Sequence, residues 1–151
     1  MTELNLHAVD VQKDAGDPDG YHTSYARIGP LLGATKLGLS VYELPPGQSI
    51  CPYHYESGEE EWLIALAGRP TLRTPDGEHE LRPWDAVFFP TGADGAHKVT
   101  NRTDETVRVA IWSNRVDPST SVYPDSEKVG AWPPGKLFRL ADAVDYWDGE
   151  T

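Results

Sequence analysis

Pro46-Gly47-Gln48-Ser49-Ile50-Cys51-Pro52-Tyr53-His54-Tyr55-Glu56-Ser57-Gly58-Glu59-Glu60-Glu61-Trp62 decides the fold, together with a second stretch, Trp84-Asp85-Ala86-Val87-Phe88-Phe89-Pro90-Thr91-Gly92-Ala93-Asp94-Gly95-Ala96-His97-Lys98-Val99-Thr100-Asn101. Alternate side chains of a strand share a face, so a strand through His54 points His54 and Glu56 the same way. A turn at Ser57-Gly58 leads into Glu61, at the start of the next strand. Antiparallel neighbours lie roughly 5 Å apart, which brings Glu61 beside the His54/Glu56 pair. The second stretch adds His97 at a strand start behind a glycine-containing loop, with Asn101 on the same face.

Outward from these stretches, short apolar or alternating runs recur between Gly and Pro. They predict strands at Tyr21–Ile28, Leu37–Leu44, Ile50–Glu56, Glu61–Ala67, Pro70–Arg73, His79–Arg82, Ala86–Pro90, His97–Asn101, Thr106–Ser113, Ser121–Tyr123 and Val129–Trp132. Thr74-Pro75-Asp76-Gly77 reads as a tight hairpin, and Arg102-Thr103-Asp104-Glu105 as another hairpin tip. Helical signals are confined to a weak turn near Pro30–Thr35 and a segment Leu140–Trp147. Many strands and few helices predict an all-β sandwich or barrel. Residues 1–20 are expected to form a loose arm, with Lys13–Gly20 a polar surface loop. The barrel is expected over residues 21–132 and a C-terminal extension over 133–151.

Composition sets the outer limits. A chain of 151 residues is one domain by the prior of about 150 residues each. Thirteen basic against 24 acidic residues give a net charge of −11, a surface that repels nucleic-acid phosphates and anionic lipids. One cysteine, Cys51, excludes an internal disulfide framework. The N-terminus reads as no signal peptide, and the longest clean apolar run, Trp62–Ala67, falls far short of the ~20 residues of a membrane helix. The expectation is a cytoplasmic protein with neither nucleic-acid nor membrane partners. Phosphate-binding glycine loops, a Gly-x-Ser-x-Gly elbow and zinc-finger spacings are all missing from the sequence. His7, His22 and His79 carry no companion pattern. Cys51 has no base beside it in sequence, and Glu59 and Glu60 read as part of a solvated acidic turn.

The two stretches resemble the paired motifs of the cupin superfamily. Gly47, His54, Glu56, Glu61 and Gly68 fill the first motif with one substitution, Glu56 standing where the family has a second histidine. Pro90-Thr91-Gly92, His97 and Asn101 fill most of the second. The flanking strands and the hairpin at Pro70–Gly77 are similar to small bacterial single-domain cupins. The resemblance implies a jelly-roll-like β-barrel with one divalent metal ion inside, held by His54, Glu56, Glu61 and His97. Imidazole with carboxylate suits iron, manganese, nickel or zinc, and a second carboxylate hardens the site toward manganese, iron or magnesium. Glu56 is alternatively a general base.

Three departures mark this chain: four residues between Gly92 and His97 where the family has two, Trp84 where a glycine precedes Pro90, and Gly47 one residue further from His54. The superfamily includes dioxygenases, sugar-phosphate isomerases, decarboxylases and storage proteins, so the fold alone selects no reaction. The expectation is a metal-binding barrel acting on a small organic molecule, as a dioxygenase or isomerase. The alternative is a non-catalytic small-molecule binding or sensing barrel with a weak or empty metal site. Small cupins often pair, so a homodimer is expected.

Overall fold

The computed structural model describes residues 3–13 and 16–151; Met1 and Thr2 of the expected arm, and Asp14 and Ala15 of the expected surface loop, lie outside them. Among the described residues thirteen strands run in chain order: β1 (Gln12–Lys13), β2 (Ser24–Arg27), β3 (Leu37–Leu44), β4 (Tyr55–Glu56), β5 (Glu61–Ala67), β6 (Thr71–Thr74), β7 (Gly77–Glu80), β8 (Ala86–Phe89), β9 (Lys98–Thr100), β10 (Val107–Asn114), β11 (Ser119–Tyr123), β12 (Lys128–Trp132) and β13 (Lys136–Arg139). They form a six-stranded sheet β1-β2-β3-β10-β5-β8, a four-stranded sheet β13-β12-β11-β4 and a three-stranded sheet β7-β6-β9.

Alternation on the six-stranded sheet sorts side chains onto two faces. Leu44, Val107, Val109, Leu63, Ala65 and Phe89 point inward and meet Leu72 and Val99 of the three-stranded sheet, and Leu81 just after β7, in one buried cluster. This cluster runs up to the polar residues, where its Phe89 pairs with Glu61 and stacks on His97. On the outer face, Val41, Ala110, Leu66, Ala26 and Ile28 are covered by Leu4, Leu6, Val9 and Val11. Residues 3–13 therefore lie against the sheet. Arg108 donates hydrogen bonds to the carbonyls of Leu6 and Val9 and pairs with Glu43.

Several local expectations change. Ile50–Glu56 is no continuous strand. Pro52 has no N–H to give a ladder, and only the isolated bridges at Ser49 and His54 and the short β4 are strand-like. Arg102–Glu105 is no hairpin tip: β9 pairs with β6 while β10 pairs with β3 and β5, so the segment crosses between sheets. Asn101, fully buried, shapes that crossing. Its amide donates to the Leu44 and Glu105 carbonyls, and its side-chain oxygen accepts from Thr103 N–H and hydroxyl. The Thr74–Gly77 turn does close the β6–β7 hairpin.

The helix expected at Leu140–Trp147 is reduced to a 3₁₀ turn at Leu140–Asp142. Residues 133–151 are exposed throughout, and a segment this short holds no helix without a buried face. The chain also forms two strands absent from the pattern reading, β1 and β13. Trp84, where the family has glycine, adopts φ +75°, the left-handed conformation that glycine takes freely. Among the described residues no helix is long and apolar enough to cross a membrane.

Candidate metal centre

His54 and His97 face each other across an isolated antiparallel bridge, their rings 4.7 Å apart. His54 comes from the segment leading into β4, and His97 from the end of the Gly92–Ala96 loop, just ahead of β9. Glu61 begins β5, opposite Phe89 of β8 and Ser113 of β10. One ligand atom from each of His54, Glu61 and His97 lies within 4.8 Å of the other two. The four-residue loop before His97 does not displace it, because the 3₁₀ turn Ala93–Gly95 takes up the extra length.

The imidazoles are oriented from behind. His54 Nδ1 lies 3.0 Å from the Pro52 carbonyl, and His97 Nδ1 lies 2.9 Å from the Gly95 carbonyl. A carbonyl oxygen only accepts, so each Nδ1 carries the proton and each Nε2 presents a lone pair. The Phe89 ring stacks on His97 at 3.8 Å, and Tyr123 stacks beside His54 at 5.9 Å. Burial holds both histidines below the ordinary imidazole range, His97 at about 4 with a further push from His54. Both are therefore neutral at neutral pH, the form that binds metal.

Those lone pairs meet carboxylate oxygens. His97 Nε2 is 3.6 Å from Glu61, and His54 Nε2 is 3.7 Å from Glu56, both too long for hydrogen bonds. Acceptors converging on acceptors leave a place for a cation. Burial, reinforced by Glu56 and Glu59, pushes the Glu61 carboxyl up to about 7, as expected where compensating positive charge is lacking. The donor set fits the expected ion: two neutral imidazoles and a carboxylate, with no thiolate. Burial, then Glu61 and Glu56, pushes the Cys51 thiol up to about 12, although its sulfur lies 3.5 Å from His54 Nδ1.

Glu56 stands beside this group. The Ser121 hydroxyl lies 2.8 and 2.9 Å from its two oxygens and donates to the carboxylate, while Trp132 Nε1–H donates to Ser121 Oγ at 3.1 Å. Burial raises the Glu56 carboxyl, the Ser121 hydrogen bond lowers it, and Glu59 raises it. Ser121, Trp132 and Tyr123 went unseen in the sequence, since strand pairing across the barrel brings them here and no local spacing announces it. Glu59 Oε2 accepts from the Ser113 hydroxyl at 3.4 Å and Oε1 from the Val116 N–H at 3.3 Å, away from the histidines.

A polar cavity of about 350 Å³ reaches Glu61 from solvent, with Ser40, Tyr42, Ser113, Glu59, Arg27 and Arg115 in its walls. Its size falls at the small end of the range for small-molecule sites, roughly 300–1,000 Å³.

Comparison with known proteins agrees with this architecture. Residues 40–113 match the cupin domain family model. A search of curated proteins yields no match. A sugar phosphate isomerase of the cupin superfamily from Silicibacter pomeroyi superposes with a TM-score of 0.83 at 24% identity, over 97% of this chain and 98% of its own. A putative sugar phosphate isomerase from Acidithiobacillus ferrooxidans gives the same score and identity, over 96% and 94%. A polyketide cyclase from Streptomyces resistomycificus superposes with a TM-score of 0.64 at 23% identity, over 79% and 83%. At these identities the likeness speaks for the fold. With the two motifs in place on the barrel and the family model spanning both, residues 40–113 of this chain are a cupin domain.

Proposed function

We propose that this chain is a metal-dependent enzyme that isomerises a small organic molecule by proton transfer inside the barrel. The observation that carries the reading is that one ligand atom from each of His54, Glu61 and His97 lies within 4.8 Å of the other two, with a separately anchored carboxylate, Glu56, beside them. His54, Glu61 and His97 would hold a divalent ion such as iron, manganese, nickel or zinc, which would supply Lewis-acid polarisation of a substrate carbonyl or hydroxyl oxygen.

Glu56 then takes a proton from the carbon next to the carbonyl and returns it to the neighbouring carbon. One C–H bond breaks and one forms, a hydroxyl proton moves between the two oxygens, and no external oxidant is consumed. Ser121 holds the Glu56 carboxylate in one orientation, and the Phe89 and Tyr123 rings keep water from the imidazoles. The full-length likeness to two proteins described as sugar phosphate isomerases supports choosing isomerisation among the chemistries of the superfamily.

A second reading, dioxygenation, is favoured by the ligand set itself, since two histidines and one carboxylate suit non-haem iron. A third is a non-catalytic binding barrel. One experiment separates them. The metal-loaded protein is incubated with a panel of small hydroxy-aldehydes, hydroxy-ketones and their phosphates in D₂O under air. Deuterium entering a C–H position without oxygen uptake supports isomerisation. Oxygen uptake with a substrate transfers the assignment to dioxygenation. Tight binding with neither leaves the binding barrel.

A further inference from the structure

Arg27 and Arg115 line the cavity that leads to Glu61. Arg27 ends β2, in register with Ser40 of β3, and its charge acts on the Tyr42 hydroxyl inside the cavity. Arg115 follows β10, and its N–H extends the β3–β10 ladder to the Lys36 carbonyl. In this chain acids outnumber bases by 24 to 13, and Arg69, Arg73, Arg102 and Arg108 are each paired with a carboxylate. Among the described residues Arg27, Arg82, Arg115 and Arg139 have no such partner within 4 Å, and of these four Arg27 and Arg115 line this cavity. The guanidinium of Arg27 sits only over the Tyr25 ring, at 5.5 Å.

Two unpaired guanidinium groups on one small cavity, in a protein with carboxylates to spare, mark where a ligand's negative charge belongs. The cavity is also graded. Glu59 and Glu61, which repel an anion, are its half-buried charged members, and Arg27 and Arg115, which bind carboxylate and phosphate oxygens in a fork, are exposed.

We propose that Arg27 and Arg115 form an anion subsite, so that the substrate is a small organic anion whose carboxylate or phosphate is held at the mouth while its hydroxyl or carbonyl oxygen reaches the Glu61 end. The proposal rests on the metalloenzyme reading for that inner end only. The cavity's volume leaves room for a small molecule, not for a polymer.

The test is calorimetric titration of the metal-loaded protein with inorganic phosphate and, separately, with acetate. Saturable binding of one of them is expected, weakened about tenfold or more by Arg27→Gln and by Arg115→Gln and unchanged by Arg82→Gln. Preference for phosphate identifies a phosphate ester as the ligand class, and preference for acetate a carboxylic acid. His54→Ala separates the two readings. If it abolishes metal uptake yet leaves anion binding intact, the arginine subsite stands. If anion binding disappears with His54→Ala and survives both arginine variants, the anion sits on the metal and the subsite is overturned. Absence of binding by either anion at about 10 mM overturns it as well. A wild type without metal defeats the metalloenzyme reading and leaves the arginine titration to be judged separately.

Discussion

His54 and His97 exchange both backbone hydrogen bonds, His54 N–H to His97 O at 3.1 Å and His97 N–H to His54 O at 2.8 Å. This closed pair fixes the register of the two motif segments independently of any ion. The imidazoles are consequently held opposite each other by main chain and aimed by the carbonyls behind them. Preorganisation of this kind lowers the ordering cost of binding a metal.

Metal content follows directly. The protein purified without chelator or polyhistidine tag should hold about one equivalent of divalent metal, falling below about a tenth in His54→Ala, His97→Ala and Glu61→Gln. Elemental analysis decides it. Full retention in all three variants would sink the assignment of these ligands.

Gly95 is a second lever. A Cβ there would lie 1.8 Å from the Pro90 carbonyl oxygen, which no rotamer change relieves. Gly95→Ala must move the loop that supplies both His97 and the carbonyl oriented against its Nδ1. The expected cost is about 1–3 kcal/mol or more, accompanied by weakened metal binding, read from denaturant unfolding and elemental analysis. Unchanged stability and metal content would contradict the loop geometry.

Ser121→Ala removes the hydrogen bond that lowers the Glu56 carboxyl, so that group should shift further upward. The acidic limb of the activity profile then moves to higher pH while metal content stays near wild type. An unmoved limb in a metal-loaded variant would remove Glu56 from the role of base.

The Glu61 carboxyl gives a pH signature. Its folded value of about 7 lies above its ordinary value of 4.5, so the metal-free folded state binds more protons than the unfolded state between these limits. Stability must fall as pH rises through that window. Metal-free wild type should therefore lose stability relative to Glu61→Gln from about pH 4.5 to above pH 7, measured by urea unfolding at several pH values. Metal loading displaces the same proton. Close to one proton should be released per ion near pH 6 and almost none near pH 8.5, as calorimetry in buffers of differing ionisation enthalpy will show.

Sequence and structure agree where local spacing carries the information. His54, Glu61 and His97 were legible because two short motifs place them at strand starts, and strand pairing then brings them together. Gly68 was legible for a physical reason that the structure supplies: at φ +75°, its Cβ would lie 2.6 Å from Val107 Cγ1. Trp84 departs from the motif in residue type but keeps its left-handed conformation. The unread parts depend on distant partners. Ser121 and Trp132 come from strands more than 60 residues further along the chain than Glu56, and the Arg102–Glu105 crossing looks like a hairpin until the partners of β9 and β10 are known. Fully exposed β13 carries no burial pattern at all.

The place of β10 in the six-stranded sheet has a consequence for synthesis. It lies between β3 and β5, hydrogen-bonded to both, yet follows them by many residues along the chain. As the ribosome delivers the polypeptide in order, β3 and β5 emerge with the strand that joins them still untranslated. The inward faces of Leu44, Leu63 and Ala65 stay wet until Val107 and Val109 arrive. Folding is then dominated by long-range pairing and is correspondingly slow, and the half-made nascent chain is the species most exposed to aggregation and to chaperones.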